Sequence, residues 1–517
     1  MQLETFLQRS AERWPDKTAL VCGHRRMTYA EYEAATNRLA YGLIECGVAR
    51  GDRVAVMLDN SLEAAISVFA VLKAGAAFMM VNATTKAEKL HYLLNHSGAA
   101  ALVASSRRLS PMEDALRDTP ELRTLVLVPT DRPSAVPTDK QTVGFEDLLD
   151  RNRWCLEAPP RRAIDVDLAS VMYTSGSTGV PKGVMLTHQN MVTSSTTLTS
   201  YFGNTPGDVI LNALPLSFNY GLYHVLMAAQ FGGTLVIERS LAYPESVLKK
   251  IVDEGVTALP VVPSMLAILL QTSLERHDLS RLRYVTNTGA ALPCEHIARF
   301  RSLLPHVTLH SMYGLTECKR VCALPPEELD RRPDSVGIPL PNQEICLVDE
   351  QDRPVPRGEV GQLVVRGSNV MRGYWRMPEE TDRVLRPGPI QGERVFYTGD
   401  LFRQDGDGFL YFVGRVDDVI KSRGEKVSPR EVENALHNHP AVAEAAVIGV
   451  PDELLGQAVK AFVVLKPGTE LNARDLRRHC ARQLEDYMVP QFIEFRDRLE
   501  RTEHGKIDRR QLEGLLV

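Results

Sequence analysis

Tyr173-Thr-Ser-Gly-Ser-Thr-Gly-Val-Pro-Lys-Gly183 is the stretch on which the rest of this 517-residue chain turns. Its three glycines permit backbone shapes that carry amide donors toward an anion. The hydroxyls of Thr174, Ser175, Ser177 and Thr178 add donors, and Lys182 adds a positive charge, so the loop suits a polyphosphate. A flexible Gly/Ser linker is the plain alternative. It fits poorly, because 168–173 before the loop and 183–186 after it both have strand-like apolar patterns. A Walker-type loop needs GxxxxGK[ST] opening a helix, whereas here Pro181 precedes Lys182 and Gly183 follows it. The Walker reading fails.

Outward from the loop, the first four hundred residues alternate short apolar runs with helical spacing. The runs 54–58, 100–104 and 124–128 are expected as buried strands. Asn60 or Ser61 should cap a helix ending at Lys73, and 85–94 has helical spacing. Such alternation predicts an α/β fold with helices packed on sheets. The apolar stretch 64–81 holds one charge, Lys73, and is expected as a helix, a break at Ala74-Gly75 and a buried strand rather than a membrane span.

Near residue 404 the texture changes. Gln404-Asp-Gly-Asp-Gly408 signals a tight turn, and the charged connector Gly414-Arg-Val-Asp-Asp418 follows. These features predict a large N-terminal domain, 1–416, of layered sheets and helices, and a small C-terminal α+β domain, 417–517. In the latter, Ser428-Pro-Arg-Glu431 has the form of a capping box, 441–450 and 459–465 are expected as strands, and Asn472 should cap another helix.

The length alone predicts two or more domains, and 44% hydrophobic with 24% charged residues is the balance of an ordinary soluble globular protein. A net charge of −5 over so large a surface argues against a nucleic-acid binder. Cysteines stand at 22, 46, 155, 294, 318, 322, 346 and 480, with no CxxC and no histidine pair to complete a zinc pattern near Cys318 and Cys322. Small buried thiols in a reducing compartment are expected. The first ten residues lack a signal-peptide core and the last four are not a peroxisomal address, so a cytoplasmic location is expected.

The loop resembles the signature of the acyl-adenylate-forming superfamily, which includes acyl- and aryl-CoA synthetases, peptide-synthetase adenylation domains and luciferases. Further stretches resemble that family's motifs in its order: Thr288-Gly-Ala-Ala-Leu292, Met312-Tyr-Gly-Leu-Thr-Glu317, Gly361-Gln-Leu-Val-Val-Arg-Gly367, Tyr397-Thr-Gly-Asp400, Gly414-Arg415 and Gly505-Lys506. The resemblance covers essentially the whole chain, and is closest to a stand-alone acyl-CoA ligase.

By that resemblance, Thr174, Ser175, Gly176, Ser177, Thr178, Gly179 and Lys182 hold the β- and γ-phosphates of ATP. Tyr313 stacks on adenine, with Gly314 in the same nucleotide-binding segment, and Gly289 and Ala290 line the base and the acyl pocket. Thr316 contacts the α-phosphate, Glu317 helps bind Mg²⁺, Asp400 takes the ribose hydroxyls and Arg415 supports it. Lys506 is the catalytic lysine, and Lys182, Glu317 and Thr174 are counted with it in the catalytic set. The small domain would turn about a hinge at Asp417. Gly424 and Lys426 would then line a channel for the pantetheine thiol of CoA, or of a carrier protein's phosphopantetheine. His188 and Asn190, just after the loop, are expected to cap the next helix rather than to touch substrate.

The residue types suit this chemistry. A carboxylate must meet an α-phosphate that is itself negative, so cations and Mg²⁺ have to offset the repulsion, and no general base is needed. The acid pocket is expected to begin at Phe218, Asn219 and Tyr220. Phe218 replaces a histidine found in many acyl-CoA synthetases, and Asn219 replaces the aspartate that binds an amino acid's ammonium group. A small or medium acyl or aryl acid is expected, not an ordinary α-amino acid. The expected activity is AMP-forming acid–thiol ligation to CoA. Loading of a carrier protein is the alternative, and a luciferase-like oxygenase is a remote one.

Overall fold

The computed structural model describes residues 1–129, 136, 138–150, 157–174, 180–416, 418, 420–422, 425–452, 456–484, 486–501 and 507–514. It falls into two compact units, Met1–Glu344 with Val365–Phe396, and Ile345–Val364 with Tyr397–Val517.

The first unit holds two sheets. In one, the strands Arg53–Met57, Ala77–Met80, Ala99–Ser105, Thr124–Val128 and Gln141–Gly144 run parallel, as does Leu168–Thr174 beside Ala77–Met80. Lys182–Thr187 then pairs antiparallel with Leu168–Thr174, and Gly373–Tyr374 with Lys182–Thr187. The other sheet has a parallel core of Thr18–Cys22, Thr234–Ile237, Val209–Asn212, Ala258–Val261, Tyr284–Asn287 and Thr308–Leu315. Lys319–Ala323 and Ser335–Pro339 extend it antiparallel. Parallel strands connected by helices are covered on both faces, which is why they show in the sequence as unbroken apolar runs.

The stretch 64–81 is a buried helix followed by a buried strand. Ser61 Oγ accepts from the Ala64 amide at 3.2 Å and caps Leu62–Lys73. The Lys73 ammonium is buried, and is met by Glu33 at 2.7 Å, Thr36 Oγ1 at 2.7 Å and Asn37 Oδ1 at 2.6 Å. Among the described residues no helix is long and apolar enough to cross a membrane.

The second unit contains the strand Arg394–Gln404 from Tyr397 onward, whose residues 400–404 pair antiparallel with Leu410–Arg415. It also contains a five-stranded sheet built on the long pair Val442–Asp452 and Gly456–Leu465. Ser428 Oγ accepts from the Glu431 amide at 3.4 Å and starts the helix Pro429–His437, and Asn472 Oδ1 accepts from Asp475 at 2.9 Å to start Ala473–Cys480.

Two expectations need correction. The thiols are not uniformly buried: Cys294 and Cys346 are exposed, because they lie on a helix and on a strand that each show one face to solvent. The helix His188–Tyr201 is capped by Thr187, which forms a reciprocal box with Asn190. His188 does not cap; its Nδ1 accepts from the Leu3 amide at 3.2 Å. Asn190 Nδ2 also donates to the Ser368 and Val370 carbonyls, at 2.8 and 2.9 Å.

His310, on the strand Thr308–Leu315, sits in a cage of Tyr201, Phe202 and Tyr284 with ring centroids 5.1–5.7 Å away. Burial pushes its pKa down to about 4, and that of buried His224 down to about 3, with Arg320 adding to the second shift. A group whose pKa is lower folded than unfolded takes up its proton first in the unfolded chain, so stability is lost as pH falls from about 6.5 toward 4. His310 alone contributes up to about 3 kcal/mol of that loss. His310→Phe is expected to shrink the drop in thermal midpoint between pH 7.5 and pH 4.5. An undiminished drop would show that His310 is not the titrating group.

Candidate active site

The strands that flank the expected phosphate loop pair antiparallel. Thr174 ends one strand opposite Lys182, and Tyr173 faces Gly183. Residues 175–179, which carry most of the expected phosphate donors, lie outside the described residues. A side chain at Gly183 would meet Val171 at 2.9 Å and the Tyr173 ring at 3.1 Å, so the third glycine is needed for close packing at the loop's base.

Lys182 is anchored. Its ammonium bonds the Glu380 carboxylate and stands 5.3 Å from the Tyr374 ring centroid. Glu380, on the helix Pro378–Val384, is held below the usual carboxylate range, chiefly by that bond to Lys182 and further by Arg383. Sequence reasoning missed both Glu380 and Tyr374. They stand nearly two hundred residues from the loop, with no spacing signal to connect them.

Tyr374 reaches the second motif as well. Its hydroxyl donates to Glu317 Oε1 at 2.9 Å, and the Met371 amide donates to the Glu317 carbonyl at 2.7 Å. One tyrosine thus has the loop's cation at its ring face and the expected metal carboxylate at its hydroxyl. Among the described residues no group of three or more His, Cys, Asp or Glu could hold a metal ion. A single oriented carboxylate fits Mg²⁺, which is bound through one or two carboxylates, phosphates and water, and does not fit a structural zinc.

Glu317 lies in the turn between Thr308–Leu315 and Lys319–Ala323. Tyr313 faces Cys322, Gly314 faces Arg320 and Leu315 faces Lys319, with a bulge at Tyr313/Gly314. Thr316 is in the same turn, and Lys319 has φ +62°, in the left-handed region. Tyr313 is half-buried on its strand.

Gly289 and Ala290 follow the buried strand Tyr284–Asn287. Gly289 has φ +92°, and Asn287 Nδ2 donates to the Ala290 carbonyl at 3.0 Å. Beside them Asn287 Oδ1 and Thr288 Oγ1 are buried without a hydrogen-bond partner among the described residues. Buried polar atoms are rarely left so, and a ligand with donors and acceptors would satisfy both.

Phe218 precedes the helix Asn219–Phe231, in which Asn219 and Tyr220 are buried. A side chain at Gly221 would lie 2.4 Å from the Pro215 carbonyl, which accounts for the Asn-Tyr-Gly sequence at this tight entry. Asn219 Oδ1 accepts from Lys319 Nζ at 2.5 Å, and Tyr220 donates to the Thr286 carbonyl at 2.8 Å. Arg320 lies 4.5 Å from the Tyr220 ring centroid. Sequence reasoning did not select Lys319 and Arg320. The available signal was two adjacent cations just after Glu317-Cys318 and before an apolar run, a position too buried for a solvated pair.

In the second unit, Asp400 is buried opposite Arg415, whose Nη1 stands 3.2 Å from Asp400 Oδ1. Asp400 also donates its amide to Thr398 Oγ1 at 3.1 Å. Lys426 lies on the strand Glu425–Val427. Asp417, Gly424 and Lys506 lie outside the described residues.

Compared with known proteins, the chain matches the AMP-binding enzyme family over residues 7–375 and the AMP-binding enzyme C-terminal domain over 431–506. It is 33% identical to a long-chain-fatty-acid–CoA ligase of Escherichia coli O6:H1, over 99% of this chain and 94% of the relative. It is 35% identical to a feruloyl-CoA synthase of an Amycolatopsis species, over 96% of each. Among solved structures, the o-succinylbenzoate CoA synthetase of Bacillus subtilis in complex with the acyl-adenylate intermediate OSB-AMP superposes with a TM-score of 0.84 at 29% identity, covering 98% of this chain and 97% of that one.

Proposed function

The chain belongs to the AMP-binding enzyme family, and from that premise we propose that it is an ATP-dependent, AMP-forming acid–thiol ligase that makes CoA thioesters. In the first step a carboxylate oxygen of the acid bonds to the α-phosphorus while the bond from that phosphorus to the β-phosphate oxygen breaks. Acyl-AMP forms and pyrophosphate leaves. In the second, the CoA sulfur bonds to the acyl carbon as its bond to the AMP oxygen breaks, AMP departs, and the thiol proton passes to solvent.

The observation that carries this reading is the tyrosine bridge: Lys182 at the Tyr374 ring and Glu317 on the Tyr374 hydroxyl. It sets Lys182 and the Glu317 carboxylate at one site, which is what a polyphosphate with its cation requires. Mg²⁺, when held by Glu317, neutralises phosphate charge. The loop 174–182 cradles the β- and γ-phosphates, and Lys182 exchanges its Glu380 partner for phosphate oxygens. Tyr313, Gly289 and Ala290 receive the base, Thr316 the α-phosphate, and Asp400 with Arg415 the ribose. Lys506 supplies the second cation for the first step. Asp417 serves as the hinge, and Gly424 and Lys426 line the pantetheine path for the second. A cytoplasmic location, where ATP and CoA are both supplied, accompanies this reading.

Pyrophosphate exchange across a panel of small acyl and aryl acids tests the first step. Thioester formation with free CoA, set beside a phosphopantetheinylated carrier protein, tests the acceptor. Exchange with at least one acid, and thioester formed with free CoA, are expected. No exchange with any acid would overturn the adenylation reading, and thioester on the carrier alone would overturn CoA as acceptor.

A further inference from the structure

We propose that the acid this enzyme activates carries a second carboxylate, and that Arg320, with Lys319 beside it, is the site that receives it. The inference rests on the ligase reading above and adds the substrate class.

Lys319 is 1% and Arg320 9% exposed, on a strand whose five residues are all buried. Two adjacent cations in such a place carry a large desolvation cost unless anions answer them. No carboxylate makes an ion pair with either among the described residues. Arg320 Nε is buried with no hydrogen-bond partner among them. What the protein offers in direct contact is neutral: the Asn219 carbonyl oxygen for Lys319, and the rings of Tyr223 and Tyr220, 4.7 and 4.5 Å from Lys319 Nζ and the Arg320 guanidinium carbon; the Glu317 carboxylate attracts Lys319 only from beyond ion-pair distance. Cation–π contacts are weaker than such a cost and do not cancel it.

Lys73 shows how this same unit treats a lysine that serves only the fold. It is as deeply buried, and it has a carboxylate, Glu33, at 2.7 Å together with two side-chain oxygens. Among the described residues neither Lys319 nor Arg320 has a carboxylate in contact. The nearest acidic residue along the chain, Glu317, is engaged by Tyr374. The two cations also adjoin Asn219 and Tyr220, where the acyl pocket is expected to begin, so an anion on the acid itself is the group positioned to complete them. The planar guanidinium suits a carboxylate, which it can bind through two parallel N–H donors. Neutral Asn219 beside Lys319 is consistent with an anion and would not repay an ammonium group.

The test uses acids of equal carbon count in which a methyl group or a second carboxylate ends the molecule: butyrate against succinate, hexanoate against adipate, 2-methylbenzoate against phthalate. Pyrophosphate exchange gives kcat/KM for each. Wild-type protein is expected to prefer the diacid by about 10- to 100-fold in at least one pair. Arg320→Met should abolish or reverse that preference, and Arg320→Lys, which keeps the charge, should restore most of it. Circular dichroism and thermal unfolding establish that the variants are folded. A wild-type preference for the monoacid in every pair would overturn the inference, as would an Arg320→Met ratio equal to wild type. Absence of exchange with every acid is a different result, because it removes the ligase reading itself.

Discussion

Lys506→Ala is expected to lower acid-dependent pyrophosphate exchange by about 10²- to 10³-fold, while thioester formation from supplied acyl-adenylate changes only a few-fold. The reason lies in where charge develops. In the first step a carboxylate approaches a phosphate, and negative charge accumulates on departing pyrophosphate, so a removed ammonium group is missed at the transition state. In the second step the nucleophile is a thiolate, the electrophile an acyl carbon, and the leaving group AMP. A cation matched to pyrophosphate has little to do there. The fold should tolerate the change. The flanks of 502–506 are fixed by the Arg501–Ile507 bridge and by the Asp508 amide donating to the Glu500 carbonyl at 2.9 Å, and Ile507 packs against a cluster containing Ile448, Phe462 and Leu499. Measuring the two half-reactions side by side decides the matter: equal loss in both would remove Lys506 from the first step.

Much of this architecture was legible because the physics that forms it is local. The strands Arg53–Met57, Ala99–Ser105 and Thr124–Val128 are buried on both faces and so show as apolar runs, and Ser61 and Asn472 announce their helices by a single hydroxyl or amide. Of the candidate site, the sequence marked the segments whose motif residues are neighbours in the chain, as at Lys182 beside the strand end Thr174 and in the turn at Glu317. The site was illegible where chemistry depends on partners from distant segments. Nothing near Lys182 or Glu317 in sequence points to Tyr374 or Glu380, which the sheet brings in through Gly373–Tyr374 pairing with Lys182–Thr187. His188 shows the same limit from the other side. Its sequence position suggests a cap, but Thr187 already holds that place, and the imidazole instead serves the Leu3 amide far upstream. The pair Lys319-Arg320 was passed over because adjacent cations are ordinarily solvated, although the apolar run after them belongs to a strand buried on both faces.

Gly314→Ala is expected to cost the enzyme at least about 100-fold in pyrophosphate exchange, for a reason that no side-chain adjustment can relieve. A methyl group at Gly314 would lie 1.7 Å from the Lys319 carbonyl oxygen, 2.7 Å from its carbon and 2.9 Å from the Arg320 Cα. All three are backbone atoms of the facing strand, so the hairpin itself must part. That displacement reaches several functions at once. Tyr313 precedes the glycine, Thr316 and Glu317 form the turn beyond it, and Lys319 and Arg320 are the residues pushed away. Misplacement of a reacting group by about 1 Å can lower a rate 10²-fold, and overpacking of this kind destabilises by about 1–3 kcal/mol. The activity loss should therefore exceed what the fall in stability explains at a temperature well below the midpoint. Gly406→Ala makes the matched control, since a methyl group there meets nothing within 4 Å and the residue does not have positive φ. If Gly314→Ala keeps more than half of wild-type exchange while Gly406→Ala behaves as expected, then the close approach of these two strands is not what positions Tyr313 and Glu317.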